Sequence, residues 1–418
     1  MKIPLSRSIR AGFLFSMAML GLAITGWASP QDVKRTKTSP KAAGAKETQP
    51  GKMAPLEIER EGYVFAGGAY STIKDAKVMT GQIYAEFQIP LHRISSFPIV
   101  MVHGGSQSGT NFTSTPDGRE GWAQFFLRAG YAVYVIDQVG RGRSAYLDDS
   151  YGPATPADLL ATQKRFTAVE RYNLWPQAHL HTQWPGTGVP GDPSFDQFFA
   201  SQLPSIANYT LQQGLSRDAI VALLEKIGPS ILLTHSQSGP LGWLAADARP
   251  DLVKAILSVE PNGPPFSNVD NVGAPEWFRD AADQQRPWGL TAVPLAYSPP
   301  AASPSDLEIV RQGQPDDASV SRCWMQGSPA RQLPNLQKMP ILVITSESSY
   351  HRAYDHCTVK YLEQAGVHVK WIKLEDAGIH GNGHMMMLEK NNMEIAALMS
   401  RWMEKALPPS PIATKVNR

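Results

Sequence analysis

From about residue 56 onward the apolar positions of this chain keep two alternating rhythms. Short runs rich in β-branched and aromatic residues read as strands: IYAEFQI (83–89), PIVMVHGG (98–105), YAVYVID (131–137), ILLTH (231–235), VKAILSVE (253–260), PILVITS (340–346) and HVKWIKLE (368–375). Between them lie segments with helical spacing. GWAQFFLRAG separates the second and third runs, and GPLGWLAADA follows ILLTH. DHCTVKYLEQAG follows PILVITS, and a last amphipathic stretch carries Leu388, Ile395, Leu398 and Trp402. In DAIVALLEKIG the residues Ile220, Val221, Leu224 and Ile227 share a face, with Ser216 as the expected N-cap and Gly228-Pro229 as the stop. Strands joined by single helices predict an α/β fold with a mostly parallel sheet covered on both faces.

Two stretches break this rhythm, at about 148–215 and 262–339, and both are rich in Pro, Trp and Gly. Long irregular connections inside a compact domain are usually functional, so both are expected to be lid insertions in a domain spanning 56–410. They contribute Trp175, Trp184, Trp277, Trp288 and Trp324, which either line an apolar pocket or pack the lids. At the amino terminus, Lys2, Arg7 and Arg10 precede an uncharged run from Ala11 to Trp27, with small residues at Gly26 and Ala28. This is the pattern of a secretory signal peptide cleaved near Ala28, so residues 1–28 are expected to be removed and the product exported, periplasmic or extracellular. Residues 29–55 lack aromatics and periodicity and read as a flexible linker.

Composition narrows the class. The chain has 418 residues, 42% hydrophobic and 18% charged, enough to bury a sizeable core. Its 39 basic side chains against 37 acidic ones leave no excess charge for nucleic acid or an anionic membrane as main partner. No run beyond the amino terminus is apolar enough to span a bilayer. The two cysteines, Cys323 and Cys357, would be exported together, and an even pair in an oxidising compartment tends to be bridged; two buried free thiols are the alternative.

The chemistry concentrates where predicted strands end. In Leu233-Thr234-His235-Ser236-Gln237-Ser238-Gly239 a serine sits between a strand and a helix with small residues around it. Such a turn lifts the hydroxyl clear of the sheet and aims it at a helix N-terminus, although Thr234 and Ser238 replace the two glycines of the usual G-x-S-x-G. An attacking serine needs two donors for the oxyanion it creates. Gln237 offers one backbone N–H, and His103-Gly104-Gly105-Ser106 follows the buried run PIVMV where the second belongs, assigned to Gly105.

The base is expected after the last strand. There GIHGNGHMMM offers His384, the choice here, with His380 as the alternative. The acid that orients it belongs at a strand end. Glu260, at the tip of VKAILSVE, is chosen, with Glu347 and Asp355 as fallbacks. His103 and His235 are expected to satisfy backbone groups nearby. His179 and His181 are not expected to bind metal, since no carboxylate or cysteine accompanies them in the sequence.

Asp137-Gln138-Val139-Gly140-Arg141-Gly142-Arg143-Ser144 resembles the D-x-x-G-x-G-x-S turn of α/β-hydrolases. With the H-G-G turn, the serine turn and the terminal G-N-G-H, the resemblance spans roughly residues 57–407. More narrowly, H-S-Q-S-G, V-E-P-N-G and G-N-G-H-M-M-M look like a subfamily of secreted bacterial serine esterases whose triad acid is a glutamate on the sixth strand. That resemblance implies the α/β-hydrolase fold, Ser236, Glu260 and His384 as triad, and Gly105 and Gln237 as oxyanion donors. It also favours a Cys323–Cys357 disulfide. Some members carry cysteines in the oxyanion turn where this chain has Gly105-Ser106.

The expected activity is therefore hydrolysis of a carboxylic ester, apolar or bulky if the tryptophans line its pocket, through an acyl-enzyme on Ser236 and without a cofactor. An amidase, lactonase or C–C hydrolase would use the same groups. A non-catalytic exported scaffold binding an apolar ligand is the alternative of another class.

Overall fold

The computed structural model describes residues 54–407, so the expected leader and all of the expected linker except Ala54 and Pro55 lie outside the described residues. Eight strands build the central sheet: β1 (Ile58–Ile73), β2 (Ala76–Pro90), β3 (Ile99–Val102), β4 (Val133–Asp137), β5 (Ser230–His235), β6 (Val253–Val259), β7 (Ile341–Thr345) and β8 (Val369–Lys373). Their spatial order is β1-β2-β4-β3-β5-β6-β7-β8. From β4 to β8 every neighbour is parallel, whereas β2 runs antiparallel to both β1 and β4.

Five helices cover the parallel strands: α1 (Trp122–Arg128), α2 (Tyr209–Ile227), α3 (Gly239–Ala248), α4 (Asp355–Gln364) and α5 (Asn392–Ala406). Alternate side chains of each strand feed two cores. Val100, Val102, Leu232, Ile256 and Val343 pack against α2, α3 and α4 through residues such as Leu223, Trp243 and Leu362. Ile99, Met101, Leu233, Leu257 and Ile344 pack against α1 and α5 through Trp122, Phe126, Ile395 and Met399. A period of two with both faces apolar is the signature of strands buried between two helical layers.

Three expectations need correction. Strand β1 was not anticipated, and IYAEFQI is only the second half of a longer β2. The hairpin leaves Tyr63, Phe65 and Tyr70 exposed, so its apolar residues do not mark a buried face. Ser216 is not an N-cap. It is buried inside α2, which starts about two turns earlier, where the Asn208 side chain accepts from the Leu211 N–H at 3.0 Å. Leu211 and Leu215 pack on the core and keep this first part helical despite Gly214. The first irregular stretch therefore ends at residue 208. Finally, Leu388 precedes α5 rather than belonging to it, although it is buried in the same core.

The second irregular stretch contains a hairpin (Phe266–Gly273 with Trp277–Arg286) and a shorter strand pair (Ile309–Arg311 with Trp324–Gln326). Cys323 and Cys357 form a disulfide with Cα atoms 5.2 Å apart, tying this stretch to α4. No described helix is long and apolar enough to cross a membrane.

Candidate active site

The C-terminal ends of β3, β5, β6 and β7 converge on one place. At the end of β5 the chain turns through Ser236, with a φ of 56°, and enters a short 3-10 turn and then α3. A β-carbon at Gly239 would stand 2.5 Å from Pro261, and one at Gly242 3.0 Å from Thr234, so glycine lets α3 close onto the strands. Ser238, in place of a glycine, is buried. Its Oγ accepts from His235 N at 2.8 Å and lies 2.7 Å from the Val102 carbonyl, stitching β5 to β3.

Glu260 follows β6 and is fully buried, also at a positive φ, 43°. Its carboxylate accepts from Ser346 N (2.8 Å), Ser346 Oγ (2.6 Å), Ser349 Oγ (2.7 Å) and His384 Nδ1 (2.6 Å). Burial pushes this carboxyl up from the ordinary range, while the His351 imidazole and the hydrogen-bond donors pull it back. Burial also holds His384 well below the usual imidazole range, and His351 and Arg165 add to that. A neutral imidazole anchored through Nδ1 leaves Nε2 as the basic nitrogen. The hydroxyl of Tyr350 lies 3.5 Å from His384 Nε2, and its ring lines the same cavity as Ser236.

The turn after β3 completes the site. A β-carbon at Gly104 would come 2.9 Å from His235 Nδ1 and 3.1 Å from Ser236 Cβ. Gly105, Gln237 and Ser236 line one cavity of about 350 Å³, and among the described residues neither the Gly105 nor the Gln237 amide is used in a hydrogen bond. His103 and His235 serve backbone groups as expected: His103 Nε2 accepts from Gln138 N at 3.0 Å, and His235 Nε2 lies 3.1 Å from the His384 carbonyl. A larger surface groove of about 660 Å³ lies at the opposite ends of β7 and β8 and holds none of these residues.

Several contributors were missed by sequence reasoning. Arg141, in the glycine-rich turn after β4, is buried, and among the described residues it has no carboxylate partner. It donates through Nη2 to Gln237 Oε1 at 3.0 Å, and burial lowers it to about 10. Tyr350, Ser346 and Ser349 come from the turn after β7, a common place for a triad acid, where this chain has serines. Those serines were the readable signal, since the carboxylate comes from the neighbouring strand and needs donors. His351 stacks on the His384 ring at 4.7 Å and binds Asp355 at 2.8 Å, so the fallback acid Asp355 holds a different histidine. The other fallbacks, His380 and Glu347, pair with each other at 3.1 Å, with His380 on the surface.

The first irregular stretch supplies Phe166, stacked on His384 at 5.2 Å, and His181. His181 has carboxylate partners after all: Glu170 at 3.2 Å, eleven residues upstream, and Glu389 at 2.7 Å, distant in sequence and brought there only by folding. Despite the cost of desolvation, these two push it up to about 9. The tryptophans, by contrast, do not line the cavity around Ser236. Trp175 is buried and donates to the Ser348 carbonyl at 3.0 Å, and Trp184 packs on Phe198. An apolar cavity walled by tryptophans is therefore not what the fold builds.

A profile of the alpha/beta hydrolase family matches residues 99–398. The chain belongs to the α/β-hydrolase family. This hydrolase is 42% identical over 344 residues to a probable secreted lipase, phiG, of a fungal species (strain ATCC 74256), a match covering 82% of this chain and 89% of that one. It is also similar to the atomic-resolution structure of a bacterial esterase at 25% identity and a TM-score of 0.57, covering 85% of this chain and 98% of that one. Fold and relatives together make it a hydrolase of the lipase and esterase type.

Proposed function

We propose that this α/β-hydrolase is a serine carboxylic-ester hydrolase with Ser236 as nucleophile, His384 as base and Glu260 as the acid that orients it. The observation that carries this reading is the buried 2.6 Å contact between Glu260 and His384 Nδ1 beside a serine held at positive φ before a helix N-terminus. An ester entering the cavity would displace the Tyr350 hydroxyl from Nε2. Ser236 Oγ then attacks the carbonyl carbon while its proton passes to Nε2, and the oxyanion is met by the Gly105 and Gln237 amides. Collapse expels the alcohol, which takes the proton from Nε2. Water, deprotonated by the same nitrogen, then attacks the acyl-enzyme and releases the carboxylic acid and the free serine.

The leader at 1–28, cleavage near Ala28 and export belong to this reading, in keeping with a relative named as secreted. So do the lid roles of the stretches at 148–208 and 262–339. The first of these contributes Thr155, Thr162 and Phe166 to the cavity wall.

Ser236→Ala should lower kcat on a p-nitrophenyl ester by roughly four to six orders of magnitude with folding intact. A fluorophosphonate probe should form one adduct per chain, at Ser236. Turnover by Ser236→Ala near the parental rate would remove the serine from the mechanism.

A further inference from the structure

The wall of the cavity around Ser236 mixes apolar side chains such as Phe166 and Ile206 with the polar ones of Thr155, Thr162, Gln202, Ser205 and Asn262, and its volume of about 350 Å³ lies at the small end of ligand pockets. Two charged side chains line it, Asp158 and Arg165. Asp158 is engaged at a helix start, where its carboxylate accepts from Ala161 N at 2.6 Å. Arg165 is exposed at the rim of the cavity, and among the described residues its guanidinium has no carboxylate within ion-pair distance and no side-chain hydrogen bond. Its guanidinium carbon stands 5.6 Å from the centre of the Tyr350 ring.

Local backbone geometry brings this cation to the site. Residues Gln163–Thr167 form a π-helical turn, a wider coil found often at functional sites. That turn places Phe166 on the His384 ring and Arg165 over the ring of Tyr350, which lines the same cavity as Ser236. A cation here has an electrostatic cost. The imidazole of His384 must become positive as the serine is deprotonated, and Arg165 already opposes that charge. A neutral ester leaves the repulsion in place. An ester bearing a carboxylate offsets it and gives the guanidinium a planar, bidentate partner.

Resting on the serine-esterase reading above, we propose that the preferred substrates are small esters carrying a carboxylate, received by Arg165 across the Tyr350 ring from Ser236. The test compares kcat/KM within two matched pairs. Monoethyl adipate and ethyl hexanoate differ by a charge on the acyl side, and carboxyphenyl butyrate and phenyl butyrate by a charge on the alcohol side. In at least one pair the charged-to-neutral ratio should fall about tenfold or more in Arg165→Met, recover in part in Arg165→Lys, and narrow in the parental enzyme as salt is raised. Ratios that are the same in the parental enzyme and Arg165→Met for both pairs overturn the proposal.

Binding gives a readout independent of turnover. In calorimetric titration of the Ser236→Ala protein with the charged member of that pair, adding Arg165→Met should weaken affinity by a similar factor. Arg165-dependent binding without any ester cleavage by the parental enzyme would end the esterase reading and leave the carboxylate site standing. Cleavage of charged and neutral esters alike, whatever stands at 165, would do the reverse.

Discussion

Ser236 and Glu260 both hold backbone angles that side chains other than glycine seldom adopt, φ of 56° and 43°. Such strain persists only where the surroundings over-determine it. At Glu260 they do: the residue leaves a buried strand, its N–H donates to the Ile344 carbonyl at 2.9 Å, and two serines from the next strand's turn fix the carboxylate. Glu347 lacks this setting and serves His380 and the Gly381 amide. In the proposed mechanism Glu260→Gln should therefore lower kcat by about two to four orders of magnitude, because an amide no longer stabilises the imidazolium. Glu347→Gln should stay within about twofold of the parental rate. Measuring kcat for both variants on one ester decides between the two acids, and a larger loss at Glu347 would reverse the assignment.

At the scale of elements, the loop carrying His384 is clamped by the first irregular stretch. Glu389 accepts from the Gly383 and Asn382 groups of that loop at 2.9 and 2.7 Å and also meets His181. The Thr182 and Gln183 amides donate to the Gly381 carbonyl at 3.0 and 3.1 Å. His181 is raised to about 9 against an unfolded value near 6.5, so its contribution is fully present below about pH 6.5 and is lost as pH rises through about 9. The shift corresponds to a contribution on the order of 3 kcal/mol. Unfolding free energy from urea titration should fall across that window in the parental protein, and His181→Gln should flatten the slope. Equal slopes would mean that the imidazole is not charged in the folded state.

At the scale of the molecule, the disulfide joins the second irregular stretch to α4 across a separation of 34 residues. In the chain-entropy account a loop of this size is worth about 3–4 kcal/mol, chiefly through the unfolded chain. Replacing both Cys323 and Cys357 by serine should lower the unfolding free energy by about 2–4 kcal/mol and leave ester turnover at 25 °C within about twofold. Loss of activity at a temperature where the variant is still folded would place the bridge in the architecture of the site.

The sequence by itself determined the parallel sheet, the serine turn, the glutamate at a strand tip and the histidine after the last strand. Each is a local event: a run of β-branched residues, a change of period from strand to helix, or a polar residue where such a run stops. The antiparallel hairpin β1–β2 escaped because its aromatics are exposed and leave no clean alternation. The early start of α2 escaped because tertiary packing overrides the helix-weakening effect of Gly214. Only the tertiary structure decided that His181 meets Glu389, that the Tyr350 hydroxyl approaches His384 Nε2, and that Arg165 lines the cavity over the Tyr350 ring. These contacts join segments far apart in the chain, and no periodicity or spacing encodes which polar groups folding will bring within hydrogen-bond reach.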